Sequence, residues 1–224
     1  MITAITAQNT LGVTTWSAVL TDLIRAQLDA VVSDLRPAAV KSGMLADAAV
    51  VREVAAGLRR HALTPYVLDP VMVATSGDQL LEDDAVESIR SGLMPLATLV
   101  TPNLDEAAIL VGRPIRDVPA MESAARELVD NGRARAALVK GGHLGGDDLV
   151  DVLYDGEIKH FHHRRIATTH THGTGCTLSS AIVAHLALGK SLVDAVTASL
   201  DFVHRAIEAA PKLGSGHGPL NHWA

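Results

Sequence analysis

Short apolar runs alternate with helical patterns along most of this chain. The runs predict buried strands, at residues 2–7, 38–41, 66–69, 97–100 and 136–140. Apolar residues at helical spacing predict helices between them, at residues 17–33, 48–62, 84–94, 104–110 and 120–131. Strands that alternate with helices predict an α/β fold whose mostly parallel central sheet is covered by helices on both faces.

A hairpin is predicted after the fifth run. Residues 149–154 and 159–162 have strand character, and the pair Asp155-Gly156 between them is typical of a tight turn. The hairpin leads into a glycine-rich turn further along the chain.

Polar residues follow each of the five apolar runs, at residues 8–9, 42–45, 69–72, 101–106 and 140–143. Ligands of parallel sheets bind at the carboxyl ends of the strands. We therefore expect these five segments to meet in one cleft.

The segment 171–180, THGTGCTLSS, places two glycines and the only cysteine at the start of a predicted helix. Gly173, Thr174, Gly175 and Cys176 are expected to form the turn, whose outward N–H groups and helix dipole suit an anion. A thiol at that position is expected to shift toward thiolate. The alternative is that Cys176 is a small packing residue, as free cysteines often are.

Composition limits the classes of function. The 224 residues are 48% hydrophobic and carry a formal net charge of −6 without a basic run, which argues against nucleic acid as a partner. One cysteine excludes an intrachain disulfide. Residues 166–189 lack charged side chains but contain His, Gly, Thr and Ser, so we do not expect a membrane helix. With no signal-peptide pattern, a cytoplasmic location is expected.

Seven segments occur in the order found in one enzyme family: TAQNTLGV from Thr6, KSGML from Lys41, LDPVM from Leu68, TPNLDEA from Thr101, VKGGH from Val139, HGTGCTLSSAI from His172 and GHGP from Gly216. The chain resembles the hydroxymethylpyrimidine/phosphomethylpyrimidine kinases of thiamine biosynthesis, within the ribokinase-like superfamily, along nearly its whole length. The resemblance implies phosphorylation of 4-amino-5-hydroxymethyl-2-methylpyrimidine, and then of its monophosphate, with ATP and Mg²⁺. It also implies a homodimer.

The resemblance implies roles for the glycine turn and for a pyrimidine site. Gly173, Thr174, Gly175 and the N–H of Cys176 would hold the transferring phosphoryl group, and Cys176 would take the proton of the substrate hydroxyl. The substrate-binding residues implied are Gln8, Met44 and Val71. The alternatives are a strand-end amide for Gln8 and ordinary core packing for the other two.

The resemblance also implies a part of the site that binds phosphate and magnesium. Asn103 and Glu106, three residues apart at a helix start, resemble a superfamily motif that positions magnesium and phosphate, with Asp69 as a further metal ligand. The same pair also fits a helix capping box. Lys140, with Gly141 after it, would offer a cation to the ATP phosphates, or would be a solvated strand-end lysine.

Other classes of function stay open. His160 and His162 share one strand face, but no Cys or carboxylate completes the spacing of a zinc site. A Cys-His hydrolase would use Cys176 without any nucleotide. A pyridoxal-type kinase of the same fold and a silent pyrimidine-binding subunit are further alternatives.

The chain differs from the family at its N-terminal end. The family has a strand, a glycine-rich turn and a helix before the TAQNT segment, and this chain begins at Met1 without them. We expect residues 1–224 to form one kinase domain that is incomplete at its N-terminus relative to the family, with one wall of the pyrimidine site missing.

Overall fold

The computed structural model describes residues 1–72, 83–142 and 144–224. A six-stranded sheet has the strand order β3-β4-β5-β6-β7-β8, and a separate two-stranded sheet joins β1 to β2. The strands are β1 Ala4–Asn9, β2 Gly12–Ala18, β3 Val40–Ser42, β4 Tyr66–Leu68, β5 Leu99–Val100, β6 Ala137–Val139, β7 Asp148–Tyr154 and β8 Ile158–Arg164. Strands β3 to β6 pair in parallel, whereas β7 and β8 are antiparallel.

Helices cover both faces of the large sheet. They are α1 Thr21–Asp34, α2 Ala48–Arg60, α3 Asp83–Ser88, α4 Leu104–Val111, α5 Val118–Asp130, α6 Thr174–Ala187 and α7 Leu192–Glu208. A first core lies under α2, α4 and α5 and includes Tyr66 and Leu68, and a second core under α6 and α7 includes Val67. Because strand side chains alternate between faces, one short strand feeds both cores. The predicted α/β class is confirmed.

Local sequence explains where several helices begin and end. Asp47 caps α2 by accepting a hydrogen bond from the N–H of Val50 at 2.8 Å. Helix α4 ends at Gly112 with φ 74°, a left-handed conformation that favours glycine. The predicted helix at 84–94 is wound differently from expectation, because α3 continues as a π-helical segment, Ile89–Leu93.

The predicted hairpin is confirmed. Strands β7 and β8 pair antiparallel from Asp148↔Arg164 to Tyr154↔Ile158. Gly156 lies in the connecting turn with φ 107°. The described residues contain no helix long and apolar enough to cross a membrane.

The prediction from sequence is wrong mainly for the first apolar run. Residues 2–7 were expected to form a buried strand of the parallel sheet, but β1 pairs antiparallel with β2 and is mostly exposed. The predicted helix at 17–33 starts instead at Thr21, because the β-branched and aromatic residues before it form β2. We call this β1–β2 pair the flap.

Candidate active site

Three parallel strands and helix α6 bring four polar side chains to one edge of the sheet. Asp69 follows β4, Thr101 follows β5 and Lys140 follows β6. Thr101 Oγ1 donates to Asp69 Oδ1 at 3.1 Å, and Lys140 Nζ lies 3.2 Å from the same oxygen. Ser179 of α6 donates to Asp69 Oδ2 at 3.1 Å. Asp69 is therefore a buried carboxylate with partners on both oxygens.

Lys140 is a permanent cation at this edge. Burial lowers the pKa of Lys140, but the Asp69 and Glu106 carboxylates outweigh burial and raise it overall. Only 16% of its side chain is exposed. A charge held in so dry a place interacts strongly with any anion that enters.

Asn103 and Glu106 form a capping box at the start of α4. The Asn103 side chain accepts from the Glu106 N–H at 2.9 Å, and Glu106 Oε2 accepts from the Asn103 N–H at 2.8 Å. The capping alternative is therefore confirmed. Burial raises the pKa of Glu106 to about 7, although Lys140 opposes the shift. A carboxyl group with such a pKa exchanges its proton near neutral pH.

The glycine turn meets the same edge from α6. Gly173 has φ 80°, so it adopts the left-handed conformation just before the helix begins at Thr174. A methyl group placed on Gly175 would lie 3.0 Å from Lys140 Nζ and 4.0 Å from Asp69 Oδ2. A side chain at position 175 would press against the end of the Lys140 side chain. The start of α6 and the Lys140 cation therefore face a common space.

The pKa of Cys176 differs from the expected direction. Desolvation of the thiol and the Asp69 carboxylate raise the pKa of Cys176, and the opposing effects of Lys41 and Lys140 are smaller. The prediction that its position shifts the thiol toward thiolate is wrong, because the nearby carboxylate and the loss of water outweigh the cations.

A cavity of about 510 Å³ opens beside Cys176. Its lining includes Lys41, Met44 and Thr3. Val71 is half-buried close by, since its Cγ2 atom lies 3.9 Å from the position of a methyl group on Gly43. The structure thus gathers Met44, Val71 and Cys176 on the β3 side of the site.

Gln8 does not end a strand of the central sheet. It is exposed on β1 of the flap, next to an irregularity in the pairing with β2. The flap tip docks on the C-terminal segment, where the N–H of His217 donates to the Thr10 carbonyl at 2.8 Å. The N–H of His172, next to the glycine turn, donates to the Gly218 carbonyl at 3.1 Å. The flap is therefore linked to the turn through the GHGP segment.

Lys41 and Ser179 were not identified from the sequence. Lys41 Nζ lies 3.3 Å from Ser179 Oγ, which connects the cavity to Asp69. Ser179 is three residues after Cys176, a spacing that places both on one helix face and was available as a signal. Lys41 lies in the KSGML segment, where only Met44 had been singled out.

The histidines have other neighbours. His160 Nε2 lies 3.0 Å from Glu122 Oε1. Within residues 1–72, 83–142 and 144–224, no group of three His, Cys, Asp or Glu side chains has a metal-binding arrangement. His143, at the end of the fifth polar segment, is outside the described residues.

The α/β fold is ribokinase-like, and its sheet edge brings the Lys140 cation to the start of α6. The chain belongs to the phosphomethylpyrimidine kinase family, whose model matches residues 1–221. It is 48% identical to a hydroxymethylpyrimidine/phosphomethylpyrimidine kinase of Rhizobium meliloti (strain 1021), an alignment that covers 100% of this chain and 85% of that protein.

Solved structures with a similar fold include two kinases. A phosphomethylpyrimidine kinase from Clostridium difficile 630 superposes with a TM-score of 0.80 at 37% identity, over 92% of this chain and 84% of that one. An ADP complex of Bacillus subtilis pyridoxal kinase has a TM-score of 0.88 at 33% identity, over 99% and 83%. The resemblance read from the seven segments is confirmed, and the chain is a kinase.

Proposed function

We propose that this chain transfers a phosphoryl group from ATP to 4-amino-5-hydroxymethyl-2-methylpyrimidine and then to its monophosphate, with residues 1–224 acting as one kinase domain. The observation that carries the proposal is the meeting of Lys140 with the glycine turn at Gly175, beside a cavity at Cys176. The names of the relatives in the same family support the choice of substrate.

Phosphoryl transfer requires positioning and neutralisation of charge more than covalent chemistry. The N–H groups of Gly173, Gly175 and Cys176 would receive the transferring group, since they lie at the positive end of α6. The N–H of Thr174, the fourth residue of the turn, already donates to the Thr171 carbonyl at 3.2 Å. Lys140, assisted by Asn103 and Gly141, would bind the ATP phosphates. Cys176 would accept the proton of the attacking hydroxyl in its thiolate form, which Lys41 and Lys140 favour although desolvation and Asp69 raise the pKa of the thiol.

The pyrimidine would bind on the β3 side. Met44 and Val71 offer apolar surface to the ring faces, and the Gln8 amide can both donate and accept hydrogen bonds. Gln8 is not among the residues that line the cavity, so the flap, whose base at Thr3 and Ala4 does line it, would have to bring Gln8 to the ring.

Asp69 and Glu106 fit Mg²⁺ as a partner of ATP. Magnesium favours one or two carboxylates together with water and phosphate oxygens. The raised pKa of Glu106 suits a group whose ionised form a cation would stabilise. Bound there, the ion would supply charge neutralisation to the phosphates.

The direct test is formation of ADP with each pyrimidine substrate in a magnesium-containing assay. We expect turnover with the hydroxymethylpyrimidine and its monophosphate, and weaker turnover with pyridoxal. Cys176→Ala should lower turnover by about 10² to 10⁴ and leave ATP affinity nearly unchanged. A folded protein that forms no ADP with either pyrimidine would contradict the proposal. Faster turnover of pyridoxal would favour the pyridoxal-kinase alternative.

A homodimer is part of the proposal. The flap and α1 expose large apolar side chains, among them Ile5 at 64%, Leu20 at 79% and Leu23 at 54%. Large exposed apolar side chains are typical of association sites where they form one patch. Light scattering should give twice the chain mass of 23.5 kDa, and Ile5→Ser with Leu23→Ser should give the monomer mass. A monomeric wild-type protein would exclude the dimer.

A further inference from the structure

Arg165 binds three backbone carbonyls of the loop that follows Lys140. Its Nε donates to the Gly146 carbonyl at 2.8 Å and its Nη1 to the Gly142 carbonyl at 3.1 Å, and Nη2 donates to the Leu144 carbonyl. The guanidinium carries five donors in a fixed plane, so one side chain can fix the relative positions of all three carbonyls. We call the described residues Gly141, Gly142 and 144–147 the phosphate-side loop.

The other end of the loop is held from β7. The N–H of Gly141 donates to Asp151 Oδ1 at 2.8 Å. A methyl group on Gly141 would lie 2.0 Å from the Val150 carbonyl oxygen, so this position must be glycine. The backbone N–H of Lys140 donates to the Pro102 carbonyl at 2.9 Å. Lys140 and the phosphate-side loop are therefore positioned as one unit.

Neither packing within the protein nor backbone conformation requires glycine at position 142. A methyl group placed there would meet no atom within 4 Å, and Gly142 is not among the glycines with positive φ. Neither sterics nor conformation requires glycine, in contrast to Gly141. A bare, exposed backbone beside a fixed cation suits the close approach of a ligand.

The loop lies away from the pyrimidine cavity. Met44 and Lys41 are at the β3 end of the sheet edge, and the loop follows β6. These strands are three spacings, roughly 14 Å, apart. Asp69 and the glycine turn lie between them, where the phosphoryl group would be transferred. The ligand nearest the loop is therefore the phosphoryl donor rather than the acceptor.

From these contacts we infer that Arg165 is a positioning residue for ATP, whose guanidinium holds the phosphate-side loop in the shape that receives the nucleotide. The inference rests on the proposed kinase function and adds a determinant of nucleotide affinity outside the reacting groups. In this proposal Arg165 acts on the nucleotide only through the loop carbonyls that it binds.

The test compares Arg165→Gln with Arg164→Gln. Arg164 is the exposed neighbour at the end of β8, and none of its contacts reaches the loop carbonyls described above. Arg165→Gln should raise the ATP KM and the calorimetric Kd of the non-hydrolysable analogue AMP-PCP by about 10- to 100-fold, as expected for lost charge-assisted bonds. The pyrimidine KM should change less than about twofold, and Arg164→Gln should match the wild type.

A second variant covers the case in which Arg165→Gln does not fold. Gly142→Ala adds one methyl group in open space, so the thermal midpoint should be unchanged while AMP-PCP affinity falls. Equal AMP-PCP affinity in the wild type and in the folded variants would overturn the inference and leave the kinase proposal intact. Equal losses for ATP and pyrimidine would also overturn it, since they indicate a general structural role. A wild type that binds no AMP-PCP would overturn both.

Discussion

Cys176 shows how a single residue can depart from the rule for its position. Helix N-termini stabilise thiolates, but here a carboxylate and desolvation act on the same sulfur and raise its pKa. The distances to Asp69 and the lysines depend on the fold, so the sequence pattern alone gave the wrong sign.

The reactivity of Cys176 should therefore rise steeply with pH. Only the thiolate reacts with iodoacetamide, and the pKa lies above its ordinary value, so the alkylation rate should increase about tenfold per pH unit from pH 6.5 to 8.5. Mass spectrometry of the labelled chain measures the rate at the only cysteine. Cys176→Ala provides the blank. A plateau at or below pH 7.5 would show that the thiol is acidic after all.

Glu106 makes stability depend on pH in the opposite way to an ion-paired carboxylate. Its pKa is about 7 in the folded state against an ordinary 4.5, so the folded state holds the proton more tightly. Stability is then lost as pH rises from 4.5 through 7. In EDTA, the free energy of unfolding of Glu106→Gln, measured relative to the wild type, should increase by about 1 to 3 kcal/mol from pH 4.5 to pH 8.

Urea unfolding at the two pH values measures that gain. Gln can still accept the hydrogen bond from the Asn103 N–H, so the capping box is conserved in the variant. Glu157→Gln serves as the control, since Glu157 is 85% exposed. A gain that is the same at both pH values would contradict the raised pKa.

At the level of elements, the flap was the least predictable part. Residues 66–69 and 97–100 were recognised because strands buried on both faces are continuous apolar runs. Residues 2–7 look similar, but Ile5 is 64% exposed, and periodicity alone cannot distinguish a buried strand from a covering hairpin. Asp69 and Lys140 were predictable as strand-end residues, whereas the Lys41–Ser179 contact depends on how α6 packs.

The flap should control pyrimidine affinity through its docking on the C-terminal segment. A methyl group on Gly216 would lie 2.1 Å from the Thr10 carbonyl oxygen, so Gly216→Ala should displace the flap tip. The pyrimidine KM should rise about five- to tenfold while the ATP KM stays constant, because the flap base lines the cavity at the β3 side. Steady-state kinetics with each substrate varied in turn measures both constants.

Ser215→Ala is the matched control for the docking of the flap. Ser215 is the exposed neighbour of Gly216, so its loss should leave both Michaelis constants unchanged. Parallel changes in both constants for Gly216→Ala would show that the flap does not favour the pyrimidine side.

At the scale of the whole molecule, the site joins the two layers of the fold. Asp69 and Lys140 extend from the central sheet, and the glycine turn belongs to α6, which packs in the second core. A nucleotide that contacts both Lys140 and the turn would connect sheet and helix. Its binding free energy should then stabilise the whole molecule against unfolding, and not only the loop that it contacts.

AMP-PCP with magnesium should accordingly raise the midpoint of a single thermal transition. At 100 times its Kd, a ligand adds about 2.7 kcal/mol, which is roughly 5 to 10 °C for a chain of this size. Lys140→Met should lose most of that ligand-induced shift, measured against its own ligand-free midpoint because the substitution also removes one partner of Asp69. Lys190→Met, at an exposed position after α6, should keep the full shift. An undiminished shift in Lys140→Met would mean that the nucleotide binds away from the sheet edge.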